Sequence, residues 1–529
     1  MAINKVVYGA NTLIDLTGDT VTADTLKTGF TAHDKSGTAI TGTLDLAEGS
    51  VYQDEEGCVV LNDDDGSGVS YIPLTVSSNG TYTASSSYCY NPVTVNVDNQ
   101  YYSIYKSLAF RSVIASSAPG VSEWANSLTS INNGQFANQN FSGSFTFNNV
   151  KSVSMYGFGS AFLQGNFPPS NFTLSFPNAS VIGHGAFAYN FGLRSINGTV
   201  CDYIADYAFY RCSNLTSVYF PVLSKVSQYT FYSCSRLTDV SIPSATLIST
   251  SAFANCSSLS SINFPEVSIV GSYAFYLCSG LVSVNFPIAE TIGNYTFSGC
   301  RNLTSVNFPA ATTIGSVAFS YCPSLSFVSF PNCTTINNGA FHSCASLTTV
   351  SFPVCTSIGV SAFAYCSSLT EASFPSCKIV GGSAFRNCSS LETINFPVCE
   401  IISAYAFTYC SSLTSAYAPE CETIYASAFY ACASLKLISF PKCTSMFAVT
   451  FGSCSALESA YFLGSVVPTL NNNPFMSTPL SESSYLGYFG SIFIRQSLLQ
   501  SFISSSYWNV YSSRFVGLTD EQIAALDAS

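Results

Sequence analysis

Apolar residues recur on a 22-residue period from about residue 128 to 463. Phe stands at 187, 209, 231, 253, 275, 297, 319, 341, 363, 385, 407, 429 and 451. Cys follows three residues later in twelve consecutive copies, Cys212 to Cys454, and Leu three further on, Leu193 to Leu457. One copy, residues 297–318, places Leu303, Val306 and Phe308 at L-x-x-V-x-F spacing. Alternation predicts a strand with these three side chains inward and Ser305 and Asn307 outward. Pro309 ends it. Thr312–Gly315 predicts a second short extended segment with Ile314 inward, Ala318-Phe319 begins the return, and Tyr321-Cys322 closes the turn. Such a unit cannot bury its apolar face alone, so the period predicts a solenoid of stacked turns.

Degraded copies begin at Leu128. Ile131, Phe136, Phe147 and Phe158 keep the spacing, and the 29 residues from Phe158 to Phe187 imply a seven-residue insertion around 159–170. Fifteen turns from Phe136 to Phe451 would span roughly 70 Å at one strand spacing per turn.

The flanks are aperiodic. Residues 1–50 alternate apolar residues and Thr with Gly punctuation, predicting a small β module with a short helix near Thr25-Leu26. Residues 51–97 predict a second, in which Asn79-Gly80 marks a tight turn between two β-rich runs. Residues 98–127 carry Tyr101, Ile104, Tyr105 and Leu108 at helical spacing, predicting a helical linker or solenoid N-cap. Residues 464–529 form the C-terminal cap and tail, with a strand at Ser491–Ile494, a helical stretch at Arg495–Ile503 and a frayed helical end from 519.

Composition narrows the partners. Only 9% of residues are charged and 14% are aromatic. Of the net charge of −12, residues 1–100 supply −10, from 13 acidic and 3 basic residues. No basic patch suggests nucleic acid. No apolar run is long enough to suggest membrane insertion, and the first residues show no secretory signal, so synthesis in a cytoplasm is expected.

Of 21 cysteines, twelve follow the Phe column and seven form a second column at 201, 333, 355, 377, 399, 421 and 443. One small residue per turn reads as a ladder of reduced, buried thiols. Disulfides between stacked turns stay open for an oxidising exterior, and zinc finds no C-x-x-C or Cys/His spacing. Asp63–Asp65 reads as a solvated turn, because the twelfth residue of a calcium loop would be Leu74, not Glu. His33, His184 and His342 occupy unrelated places, with His342 read as a surface residue, and no carboxylate pair or phosphate loop stands out. No enzymatic activity, cofactor or metal is expected.

The motif LxxVxFPxCTxIGxxAFxxCxxL resembles the BspA-type, or treponemal-type, leucine-rich repeat over about 330 residues. That resemblance implies a mainly β, right-handed leucine-rich-repeat solenoid over 128–463, used for adhesion. Leu16–Thr22, Thr31–Gly37 and Ile40-Thr41-Gly42 resemble the N-terminal module of siphophage tail proteins, LTVSSNGTYT and PVTVNV resemble a tail-fibre module, and IFI and SYWNVYSSRFVGL resemble the cap that follows such repeats. These likenesses imply a phage tail fibre or receptor-binding protein of the virion, attached through residues 1–97 to tail or baseplate proteins. Its solenoid would face a glycan or protein receptor on the host surface. They also carry a homotrimer as the expectation, although no sustained heptad marks the chain. A bacterial surface adhesin and a structural virion decoration are the alternatives.

The expected ligand face is the outward strand column, above all Tyr219, Asn263, Asn285, Asn307, Asn395, Tyr417 and Tyr461. Amides pair with sugar hydroxyls and rings cover apolar sugar faces, whereas the plainer reading is that Ser and Asn solvate a β surface. A second candidate is the tyrosine-rich slot after each Phe, at Tyr210, Tyr232, Tyr276, Tyr321, Tyr365, Tyr409 and Tyr430.

Overall fold

The computed structural model describes residues 113–117, 121–137, 140–159, 171–481 and 489–527, together with the short N-terminal strands named next. The chain divides into two compact units, Met1–Ile114 with Ala137–Asn140, and Ala115–Phe136 with Phe141–Ser529.

In the first unit, Asn11–Asp15, Lys5–Tyr8, Thr31–His33 and Ala39–Thr41 form an antiparallel sheet in that order. Val51–Gln53, Val59–Asn62 and Val69–Ser70 form another. Thr75–Val76 pairs antiparallel with Tyr102–Ser103. Tyr101, Ile104, Tyr105 and Leu108, on which a helix is expected, lie outside the described residues. The turn at Asn79-Gly80, the helix near Thr25, the Asp63–Asp65 run and residues 160–170 of the insertion lie outside the described residues. Among the described residues of 98–127, Val121–Ser127 is helical.

The second unit is a parallel β-solenoid of about fifteen turns, each with three runs. A long strand such as Ser305–Asn307 pairs in register with Ser283–Asn285 before it and Phe327–Ser329 after it. A short strand such as Thr313–Ile314 belongs to a twelve-stranded parallel sheet that runs unbroken from Lys225–Val226 to Thr469–Leu470. The third run is the return around each Phe. The inward residues are buried as the alternation requires, with Leu303, Phe308 and Ile314 fully enclosed.

Phe rings from Phe187 to Phe451 lie 5.0–5.3 Å apart at interplanar angles of 1–16°. Near-parallel rings at that separation are offset-stacked, the arrangement favoured by their quadrupoles. The C-terminal segment continues this column. Phe475 stacks on Phe451 at 5.6 Å, and strands Ser491–Arg495 and Phe515–Leu518 extend the long-strand sheet beyond Ser459–Phe462. The buried Trp508 closes the end, donating its indole N–H to the Pro468 carbonyl at 2.7 Å.

Candidate functional site

The return run sets the geometry of the ridge. In the regular turns, the residues two before and two after each Phe hold positive φ although they are seldom glycine. Val317 (φ 60) and Tyr321 (φ 57) flank Phe319 in this way, as Tyr207 and Arg211 flank Phe209. Each left-handed non-glycine residue costs roughly 1–2 kcal/mol. Regular hydrogen bonds offset that cost: Val317, Phe319 and Tyr321 donate their N–H groups to the carbonyls of Asn338, Ala340 and His342 in the next turn, at 2.7–2.9 Å.

The cysteine column has a hydrogen-bonding role within this run. Each Sγ from Cys212 to Cys454 lies within hydrogen-bond reach of the Phe carbonyl one turn earlier, as in Cys344 to Phe319 at 3.1 Å. The Phe297 carbonyl accepts two such donors, the N–H of Cys300 in its own turn at 3.2 Å and the thiol of Cys322 in the next at 3.2 Å. The second column turns its thiols to the carbonyl two residues on, as in Cys355 to Ser357 at 3.2 Å. All nineteen described cysteines are free and buried. Burial pushes the Cys278, Cys322 and Cys366 thiols up to about 12 and Cys355 to about 11, so thiolate chemistry is suppressed at neutral pH. Among the described residues no group of three or more His, Cys, Asp or Glu could hold a metal ion.

The long-strand face carries the expected ligand column. Asn307 donates its side-chain amide to Asn285 at 2.9 Å. Asn395 and Tyr417 are cross-strand neighbours, and Tyr219 pairs in register with Asn197 of the preceding turn, far along the solenoid from them. Asn263 is exposed but outside any strand, because the sheet is interrupted between Asp239–Ser241 and Ser283–Asn285. Tyr461 stacks on Phe493 at 4.5 Å and lines a recess of about 320 Å³ with Leu518, Gln522, Ala525 and Leu526. The seven residues therefore form a discontinuous line and do not converge on one point.

The tyrosine slot resolves into separate columns. Tyr210, Tyr232, Tyr276 and Tyr430 stand one residue after Phe, whereas Tyr321, Tyr365 and Tyr409 stand two after it. A further column, Tyr207, Tyr229, Tyr273 and Tyr295, stands two before and went unnoticed in the sequence because Ser, Val and Gly interrupt it. Tyr207–Tyr229, Tyr210–Tyr232 and Tyr273–Tyr295 stack at 4.8, 5.0 and 4.7 Å. These rings cover each other's faces and present edges and hydroxyls. Partial desolvation first, and neighbouring tyrosines after it, raise the phenol pKa of Tyr207 and Tyr273.

Farther along, Tyr321, Tyr365 and Tyr409 do not stack on one another, and Tyr409 meets Tyr430 edge to face at 5.9 Å. Tyr321, Tyr365 and Tyr409 are 60, 44 and 45% exposed. Ser343 and Asn387 occupy their column in the intervening turns. His342, expected at the surface, is half-buried; its ring touches Tyr321 at 5.5 Å and Tyr365 at 5.3 Å. Its Nδ1 lies 2.9 Å from the Ser343 hydroxyl. Desolvation lowers its pKa, favouring the neutral imidazole.

The family model described as BspA type leucine rich repeat region, in six copies, matches residues 180–302, 290–414 and 378–492. Together these segments cover more than half of the 529 residues. A leucine-rich repeat protein from Bacteroides ovatus is similar in structure, with 23% identity, a TM-score of 0.52, and coverage of 65% of this chain and 92% of its own. A leucine rich cell surface protein from Faecalibacterium prausnitzii is 23% identical at a TM-score of 0.32, covering 56% of this chain and 88% of its own. The T. pallidum leucine rich repeat protein is 20% identical at a TM-score of 0.24, covering 43% and 83%. No curated protein matches the chain.

Proposed function

The chain belongs to the BspA-type leucine-rich repeat family, and from that premise we propose that it is a phage tail fibre or receptor-binding protein. Residues 1–97 attach it to tail or baseplate proteins, and the solenoid presents a binding surface to a glycan or protein on the host cell. The observation that carries this reading is a solenoid surface rich in uncharged amides, hydroxyls and exposed tyrosines on two of its three runs. Such a surface hydrogen-bonds and packs against a partner without steering it by charge. The protein acts as a binding scaffold, not a catalyst. It is made in the host cytoplasm and carried on the virion as a homotrimer, with neither nucleic acid nor membrane lipid as its partner.

The N-terminal likeness to tail modules favours the virion over the cell. A bacterial surface adhesin uses the same solenoid equally well, and the family match supports it to the same degree. Immunogold labelling with an antibody to the solenoid separates them. Gold at the tail end of purified particles, with adsorption blocked by the antibody, is the expected result. Gold on uninfected cells with bare particles overturns the virion reading and establishes the adhesin.

A further inference from the structure

The return ridge from Tyr321 to Tyr409 presents a regular pattern of exposed rings. Two turns separate Tyr321 from Tyr365, and two more separate Tyr365 from Tyr409. The buried Phe rings beneath advance 5.3 and 5.1 Å per turn, so the exposed rings repeat at roughly 10 Å, twice a strand spacing. This differs in kind from the ladders at Tyr207–Tyr229 and Tyr210–Tyr232, where each ring is covered by the next.

Between the rings the ridge is polar. Ser343 and the neutral-leaning His342 lie between Tyr321 and Tyr365, hydrogen-bonded to each other. Arg386 and Asn387 lie between Tyr365 and Tyr409, and the buried Arg386 Nε has no hydrogen-bond partner. The ridge thus alternates a ring with a donor-and-acceptor pair from turn to turn.

We infer that Tyr321, Tyr365 and Tyr409, with His342-Ser343 and Arg386-Asn387 between them, bind an extended polysaccharide whose chain runs along the solenoid axis. An extended β1→4-linked chain advances by close to two turns per disaccharide, so successive repeats meet equivalent rings. Aromatic rings pack on the C–H faces of pyranoses, and the intervening polar side chains hydrogen-bond to hydroxyls or acetamido groups. A β-extended peptide presents same-face side chains at about 7 Å, out of step with the rings, and a compact monosaccharide would meet one ring only. The assignment rests on the proposed surface-binding role and moves the contact from the strand face to the return ridge.

The test is binding of the full chain to an array of extended neutral and acidic β-linked oligosaccharides of two to ten sugars. Binding that strengthens as each further disaccharide is added is expected. The triple variant Tyr321→Ser, Tyr365→Ser, Tyr409→Ser should lose about tenfold or more in affinity, the scale of removed aromatic anchors. Ser already stands in this column with positive φ at 233, 343 and 453, so the variant keeps the turn, and an unchanged melting temperature checks it. Ser343→Tyr closes one gap and should weaken binding although it adds a ring. No retained glycan, affinity indifferent to chain length, or undiminished binding by the triple variant overturns the assignment. Gold labelling absent from the tail, with glycan binding intact, would overturn the virion role alone.

Discussion

Cys322 donates its thiol to the carbonyl of Phe297, one turn earlier, at 3.2 Å. That contact fills the second lone pair of a buried carbonyl already holding the N–H of Cys300. It gives the cysteine column a reason beyond its size.

Cys322→Ala should therefore cost about 1–2 kcal/mol, from one lost buried hydrogen bond and a small void. Cys322→Ser should cost less, since its hydroxyl keeps a donor in the same place. Urea midpoints for the two variants decide it. A serine variant weaker than the alanine variant would show that packing alone governs the column.

The buried thiols also set an alkaline limit. Their folded pKa values lie above the unfolded value, with Cys278 and Cys366 near 12 against about 8.5 for a free thiol. Below about pH 8.5 both states keep the proton and the contribution is fully present. Above it the unfolded state binds fewer protons, so stability falls by up to about 1.4 kcal/mol per pH unit for each thiol until the folded pKa is reached. Melting temperature measured from pH 7 to 11 should fall steeply beyond pH 9, and a flat profile would contradict the burial.

Native protein at pH 8 should leave these thiols unmodified by a thiol-reactive dye, while denaturant should release them. Rapid labelling without denaturant would mean that the turns open locally.

Val317 holds φ 60, a conformation its β-branched side chain strongly disfavours. Val317→Asn should stabilise the solenoid by about 1 kcal/mol, because Asn tolerates this region at lower cost. Calorimetry that finds destabilisation would point to packing by the valine methyls.

Tyr219→Ser and Tyr417→Ser should change stability by only about 0.5 kcal/mol, as both side chains stand on the exposed strand face. If this pair abolishes attachment to cells while the triple serine variant of the ridge does not, the strand face is the contact surface.

The columns of Phe, Leu, Val and Ile were legible in the sequence because burial enforces them once per turn. Leu303, Val306, Phe308 and Ile314 lie where alternation puts them. The left-handed pair around each Phe was not legible, since Tyr, Ser, Val and Arg fill positions that glycine usually marks. Stacking hydrogen bonds, not residue type, impose that conformation. The cap was read as a break in the period, yet Phe475 extends the ring column after 24 residues instead of 22. Of the candidate ridge, the tyrosines were visible, but their separation into face-to-face ladders and more widely spaced rings depends on which column each occupies.

The forward-pointing hydrogen bonds of the return make neighbouring turns interchangeable. Phe275 donates to Thr296, Phe297 to Ala318 and Phe319 to Ala340, and each bond uses backbone alone. Removing residues 297–318 would join Thr296 to Phe319 and leave every donor facing a carbonyl of the same kind. Length is therefore open to change by unequal recombination between repeats, in whole turns and without refitting the core. A gene built this way can lengthen or shorten the solenoid in a single genetic event, and can shift which side chains its surface presents while the C-terminal cap stays the same.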